Sequence, residues 1–391
     1  MRVLFLAHSY PRFATDPVGS FVLRLAVALR DAGIEVRVIA PSAEGLAGRE
    51  EFEGIVVDRF RYAPRSLETL AYSGTMRDQV RSSWASRLVL GSFLGADLWK
   101  TFRSRRDFRA DVVHAHWFLP SGLIGTWMAG WWRVPLVTTL HGSDISVAKS
   151  SALATRMFHR VITQSRTVTT VSSWLAAATR ALVPEAHPIV APMPIKPDLF
   201  HPGGSRAPAR LLFVGKLNQQ KGIEYLLRAL AVMRARPMVD VIVGVGSAPE
   251  DIGSLAQSLG VAEQLHWLPL LPQAKLAEYY RGCTALVMPA IDEGLGLVAA
   301  EALLCETPVI AFASGGLTDL IRDGETGSLV PTGDVTALAR AIDDLLSRAD
   351  RGAALGVAGR RATLAAFGPQ AVAARYATLY REAREPPSHV A

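Results

Sequence analysis

The chain has 391 residues, half of them hydrophobic and a fifth charged, with a formal net charge of +7. At about 150 residues per domain this allows two to three domains, and the composition excludes a disordered or collagen-like chain. Two cysteines, Cys283 and Cys305, exclude a disulfide framework and a cysteine zinc cluster, and suit a reducing compartment.

In chain order, residues 2–7 form the first apolar run of strand length. A loop with Pro11, Pro17 and Gly19 follows, then a helix in which Phe21, Leu25, Ala28 and Leu29 share one face and Gly33 supplies the stop. Residues 36–40 read as the next strand. Strand, helix and strand in this space make a βαβ unit, and near-continuous apolar strands indicate a parallel sheet covered on both faces. Further strands are expected at 111–115, 136–140, 167–171 and 189–191, with helices at 121–131 and 173–182. Residues 192–208 interrupt the pattern with five prolines and the pair Gly203 and Gly204, a linker composition. The pattern then restarts. Strands are expected at 210–214, 239–243, 264–268, 285–288, 309–312 and 327–330. Helices are expected at 222–236, 252–259, 275–283, 297–304, 335–347 and 369–384. The expected fold class is α/β: two doubly wound parallel-sheet domains, 1–191 and 209–370, joined by 192–208 and leaving a cleft between them. Ligands of such sheets sit at the carboxyl ends of the strands.

The first residues are apolar, but His8, Arg12 and Asp16 follow at once, so a secretory leader is not expected. The longest uncharged apolar stretch, 119–132, is too short to span a bilayer. A cytoplasmic location is expected. The positive charge lies in the first half: residues 1–190 hold 23 Lys/Arg against 15 Asp/Glu. Between Arg77 and Arg106, arginines interleave with Trp84, Leu88, Leu94, Leu98, Trp99 and Phe102. That pattern fits either a solvated helix or a peripheral contact with an anionic membrane. No zinc-finger, RRM or KH signature accompanies the charge, so nucleic acid is not an expected partner.

The chemistry-bearing residues cluster at strand ends. Gly215, Lys216, Lys221 and Gly222 surround the start of a helix, which makes an anion site. Their spacing is neither the dinucleotide fingerprint nor the P-loop. Glu293, Gly294, Leu295, Gly296 and Leu297 follow a second strand, with Glu301 inside the next helix. Gly294 and Gly296 would let a ligand approach the backbone. Ser314, Gly315 and Gly316 end a third strand. Three such loops in one domain point to one phosphorylated ligand. In the first half His114 and His116 end one strand and His141 ends the next, with Gly142 and Asp144 behind it, and Trp117 beside His116 as an aromatic wall. No metal-ligand motif is present, so a leaving phosphate would be neutralised by Lys216, Lys221 and backbone N–H groups.

Together these residues resemble the retaining GT-B glycosyltransferases of family 4, which use nucleotide sugars. The spacing Glu293 to Glu301 matches that family's most specific signal. The loop 214–222, the pairs His114 and His116, His141 and Asp144, and the opening strand with Gly19 match it over nearly the whole chain. The resemblance implies a hexose-type donor linked to UDP or GDP, an acceptor hydroxyl on a sugar, lipid-linked or small molecule, and no cofactor beyond the nucleotide sugar as co-substrate. It implies that Glu301 binds the donor ribose, that Glu293 sits beside the transferred sugar, that Lys216 and Lys221 clamp the diphosphate and that His116 lies near the reacting centre. It places Gly19 near the phosphates, Leu268 with the loop 267–271 beside the base, and helix 371–385 back on the first domain. His141, Asp144 and Trp117 fall to the acceptor side or to supporting contacts. The family usually carries arginine where Lys216 stands. Two other readings stay open on the residues alone: a nucleotide-sugar epimerase of the same shape, and a sugar- or nucleotide-binding module without turnover.

Overall fold

A computed structural model describes residues 1–13, 16–72, 76–207, 209–244, 249–350 and 352–386. The chain divides into two compact units, 1–194 with 369–391, and 195–368.

The first unit runs β1 (Arg2–Ala7), α1 (Ser20–Asp31), β2 (Glu35–Pro41), β3 (Arg49–Phe52), β4 (Ile55–Phe60), α2 (Met76–Ser82), α3 (Trp84–Ser104), β5 (Val112–His116), α4 (Leu123–Trp132), β6 (Leu136–Leu140), α5 (Ser143–Ala148), α6 (Ala152–Gln164), β7 (Thr167–Thr170), α7 (Ser173–Leu182) and β8 (Ile189–Val190). Its sheet has the order β3-β4-β2-β1-β5-β6-β7-β8. Neighbours are parallel except β3 with β4. Val3 to Leu6 and Val112 to Ala115 are buried, as strands covered by helices on both faces require.

The second unit runs β9 (Arg210–Gly215), α8 (Ile223–Val232), β10 (Met238–Val243), α9 (Pro249–Ser258), β11 (Leu265–Leu268), α10 (Gln273–Gly282), β12 (Ala285–Met288), α11 (Leu297–Leu304), β13 (Val309–Phe312), α12 (Leu317–Leu320), β14 (Ser328–Val330), α13 (Val335–Ser347) and α14 (Ala353–Phe367). Its six strands are all parallel, in the order β11-β10-β9-β12-β13-β14. Leu211, Phe213, Val239, Val241, Ile310 and Phe312 carry its core beneath α8 and α13. The last helix, α15 (Pro369–Arg384), belongs to the first unit. There Tyr380 Oη lies 2.7 Å from His114 Nδ1, and Tyr376 donates to the Ala191 carbonyl at 3.1 Å.

Several elements depart from the pattern read in the sequence. The β3–β4 hairpin and α14 were not among the expected elements. The helix after Gly222 stops at Val232 and does not reach 236, because Asp343 of α13 accepts the backbone N–H groups of Arg234 and Ala235 at 3.2 and 3.1 Å. The expected helix at 121–131 starts only at Leu123, after a turn over Phe118–Gly122. The stretch 192–208, linker-like in composition, contains the division at Pro194 and Ile195; its first part is packed, with Met193, Ile195 and Phe200 buried and Ile195 N–H bonded to the Phe367 carbonyl, while His201 and 203–205 are exposed and Pro208 lies outside the described residues. Among the described residues no helix is long and apolar enough to cross a membrane.

Candidate active site

In the second unit, three loops at the carboxyl ends of β9, β12 and β13 are tied to one another. Asn218 accepts Lys221 N–H through its side chain at 3.0 Å, which shapes the turn into α8. Gly222 caps that helix at φ +70°, and a Cβ there would run into the Pro289 carbonyl. Gln220 carbonyl accepts Ile291 N–H at 2.8 Å, linking the β9 and β12 loops. Ser314 Oγ accepts Asp292 N–H at 2.9 Å, and Glu293 carbonyl accepts Gly316 N–H at 2.7 Å, linking the β12 and β13 loops.

The result is a fixed Glu293. Its carboxylate Oε2 lies 2.5 Å from Lys221 Nζ, 72 residues away in sequence, in a partly buried ion pair. Lys216 is exposed at the end of β9, its backbone beside Gly244. Glu301 is buried on α11 and accepts a hydrogen bond from Tyr280 Oη at 3.3 Å. Leu295 is buried, Gly294 and Leu297 are half-buried, and Leu268 closes β11 beside Ile242 of β10.

The glycines have local reasons that the sequence reading assigned to a ligand. Gly296 caps α11 at φ +83°, and its hydrogen faces Leu317, which a Cβ would meet at 2.6 Å. Gly315, at φ +61°, lies against the backbone of Glu293, with no room for a Cβ. These two glycines position the glutamate loop.

In the first unit, a histidine cluster sits where β1, β5 and β6 end. His116 Nδ1 lies 3.1 Å from His141 Nε2, with the rings stacked 5.3 Å apart. His116 is fully buried; Phe5 and His114 pack against its ring at 4.8 and 4.3 Å. Its Nε2 has no hydrogen-bond partner among the described residues, nor does Nδ1 of His8. Burial holds His116 and His141 well below the ordinary imidazole value and pushes His8 down to about 4, so all three are neutral near pH 7. A neutral imidazole has one donor and one acceptor nitrogen, so His116 Nε2 meets a sugar hydroxyl as donor or as acceptor according to its tautomer, and a hydroxyl can answer either.

Trp117 adopts φ +66° and packs on His8, His141 and Phe21. Asp144 joins two loops: Oδ1 accepts Phe118 N–H at 2.8 Å and Oδ2 accepts His141 N–H at 2.7 Å. Burial pushes its carboxyl up to about 6. His114 is structural, with both ring nitrogens paired, to Tyr380 and Thr139. Gly19 caps α1 at φ +70°, and a Cβ there would strike the Ser9 carbonyl. The sequence reading missed His8 and Phe21. The signal for His8 was available: it follows β1 as Trp117 follows β5, and Ala7 pairs with His116 in register. Among the described residues, no group of three or more His, Cys, Asp or Glu is arranged to hold a metal ion.

Comparison with known proteins matches residues 200–362 to the family described as Glycosyl transferases group 1, and residues 18–192 to the Glycosyl transferase 4-like domain. The D-inositol 3-phosphate glycosyltransferase of Streptomyces scabiei is 30% identical over 93% of this chain and 85% of its own length. That of Thermobispora bispora is 32% identical, over 93% and 89%. Among solved structures, sucrose-phosphate synthase from Thermosynechococcus elongatus superposes with a TM-score of 0.81 at 23% identity, over 97% of this chain and 98% of that one. Anabaena HepE in complex with UDP and glucose gives 0.72 at 17% identity, over 97% and 99%. The chain belongs to the family 4 glycosyltransferases and has their GT-B fold of two parallel-sheet α/β domains.

Proposed function

We propose that this transferase is retaining and moves a hexose-type sugar from UDP or GDP to a hydroxyl of a sugar, lipid-linked or small-molecule acceptor. The observation that carries the reading is the Lys221–Glu293 pair, held by three interlocked loops at strand ends of the second unit. Lys221 and Lys216 neutralise the donor diphosphate with the backbone N–H groups at the start of α8. Glu293 meets the transferred sugar and Glu301 the ribose. Gly215, Gly294, Leu295, Gly296 and Leu297 shape the donor contact, Leu268 flanks the base, and Gly19 approaches the phosphates. His116 offers its unpartnered Nε2 to a sugar hydroxyl, with His141, Asp144 and Trp117 holding it in place.

In the step itself the C1–O bond to the diphosphate breaks and a C1–O bond to the acceptor forms on the same face. The acceptor proton passes to an oxygen of the departing phosphate. Neutralisation falls to lysines and N–H groups, so turnover persists in EDTA. The names of the inositol-phosphate relatives support a phosphorylated polyol as the first acceptor to try. We read the protein as cytoplasmic, in peripheral contact with an anionic membrane through its basic segment 77–106.

The test is a transfer assay with labelled UDP- and GDP-hexoses and inositol phosphate, scored by the anomeric configuration of the product. Retention supports the reading. Inversion, or epimerised donor without transfer, overturns it.

A further inference from the structure

Helix α3 is apolar on both faces: Val89, Leu90, Leu94 and Leu98 pack against the core beside Phe93. Its buried face carries Phe93 with Asp97, Thr101 and Ser104, while Trp84 (73% exposed), Leu88 (66%) and Trp99 (57%) face solvent. On neighbouring α4, Trp127 and Trp131, one turn apart, are 41% and 64% exposed. Phe102 of α3 and Trp131 of α4 stack coplanar, with ring centroids 4.8 Å apart, and Trp99 lies 5.9 Å from Phe102. Trp99, Phe102, Trp131 and Trp127 thus form one aromatic ridge across two helices. Four of the eight tryptophans of the chain are exposed, and all four are on these helices.

Scattered exposed apolar residues need no explanation, but a contiguous aromatic patch does. The flanks are basic. Arg103 lies 5.7 Å over the Trp99 ring, Arg105 lies 5.3 Å over Trp132, and Arg106 and Arg133 are exposed. From Trp84 to Arg106 the only acidic residue is Asp97, which is buried. Tryptophan with an arginine rim is the chemistry of the lipid headgroup boundary, where the ring is half apolar and the guanidinium meets phosphate. The side chains of Arg77 and Arg81, in the basic segment read from sequence, lie outside the described residues.

We propose that the ridge Trp99–Phe102–Trp131–Trp127 is the wedge by which this protein docks on an anionic lipid surface. The inference rests on the membrane contact proposed above and moves its centre from the basic segment alone to a surface shared by α3 and α4. The rings enter the headgroup layer, while Arg103, Arg106 and Arg133 bind lipid phosphates around them.

Flotation of the full chain with phosphatidylcholine vesicles, with and without phosphatidylglycerol, tests this in three proteins: wild type, Trp99→Ser with Trp131→Ser, and Arg103→Glu with Arg106→Glu. Thermal melts and nucleoside diphosphate binding check that the variants are folded. Wild type should float with anionic vesicles and release in high salt. The serine variant should lose on the order of tenfold or more of its partitioning. The glutamate variant should lose on the order of fivefold per reversed charge, or more. If wild type floats and the serine variant floats equally, the ridge is wrong although the membrane contact stands. If wild type floats with neither vesicle, both are wrong. Concentration-dependent self-association that Trp131→Ser abolishes would overturn the proposal in favour of a second copy of the chain.

Discussion

Lys221 Nζ and Glu293 Oε2 are 2.5 Å apart, so the ammonium proposed to meet the donor diphosphate is already neutralised by the carboxylate proposed to meet the sugar. A diphosphate must compete with Glu293 for Lys221. Glu293→Gln therefore removes a competitor. Nucleoside diphosphate affinity should be unchanged or higher by up to about fivefold, the range of a partly exposed ion pair. Turnover should fall by roughly ten- to a hundred-fold, because the charge is missing where the transferred sugar develops its own. Calorimetric titration beside a turnover assay checks both signs; weaker nucleotide binding would mean that Glu293 holds the nucleotide, directly or by positioning Lys221, and does not serve the transferred sugar.

Glu301 sits on a different element from Glu293 and is buried on α11 under Tyr280. Glu301→Gln should weaken the free nucleoside diphosphate and the full donor together, by roughly ten- to a hundred-fold, since both carry ribose. Equal titration curves for wild type and variant would remove Glu301 from the donor site.

Gly315→Ala tests the loop that holds Glu293. With φ +61° and the Glu293 backbone against it, alanine must push that loop away. Turnover should drop at least as far as in Glu293→Gln, while the melting temperature falls by only a few degrees, in line with about 1–3 kcal/mol of strain. Full activity would mean the loop position is immaterial.

Asp97 predicts a pH dependence of stability. Burial pushes its carboxyl from 3.8 up to about 7, opposed only in part by the Thr101 hydroxyl, which donates at 3.2 Å. The folded value is raised, so the neutral acid is favoured in the fold. Its stabilisation is whole below the unfolded value near 4 and is lost as pH rises through about 7. Between pH 5 and 8 wild type should lose about 2–3 kcal/mol that Asp97→Asn does not lose. Urea unfolding of both proteins at the two pH values measures this; parallel losses would contradict it.

The elements legible in the sequence were those whose burial follows from hydropathy. Strands such as 285–288 and 309–312 are runs buried on both faces, and their bounds coincide with β12 and β13. Strand β3 was hidden because Arg49, Glu50 and Glu51 form a polar edge paired to β4, with Arg49 bonded to Asp58. Helix α14 was hidden by Gly356 and Gly359, poor helix formers that are needed where Glu306 and Thr326 carbonyls press on the helix. Periodicity cannot foresee α3, which buries Asp97 and exposes Trp99. Nor can spacing join Lys221 to Glu293: the three strand-end loops pointed to one phosphorylated ligand, and the resemblance gave the two side chains separate roles on it, but their ion pair appears only in the fold. The roles of Gly296 and Gly315 required the neighbouring loops to be visible.

In the proposed function the second unit grips a nucleoside diphosphate through Lys221. The most direct measurement is a calorimetric titration of UDP, GDP and ADP into wild type and Lys221→Ala. UDP or GDP should bind wild type one-to-one, weakened roughly ten- to a hundred-fold in the variant by loss of one charge-assisted contact. Binding of none of the three to wild type, or equal affinity in both proteins, would contradict it.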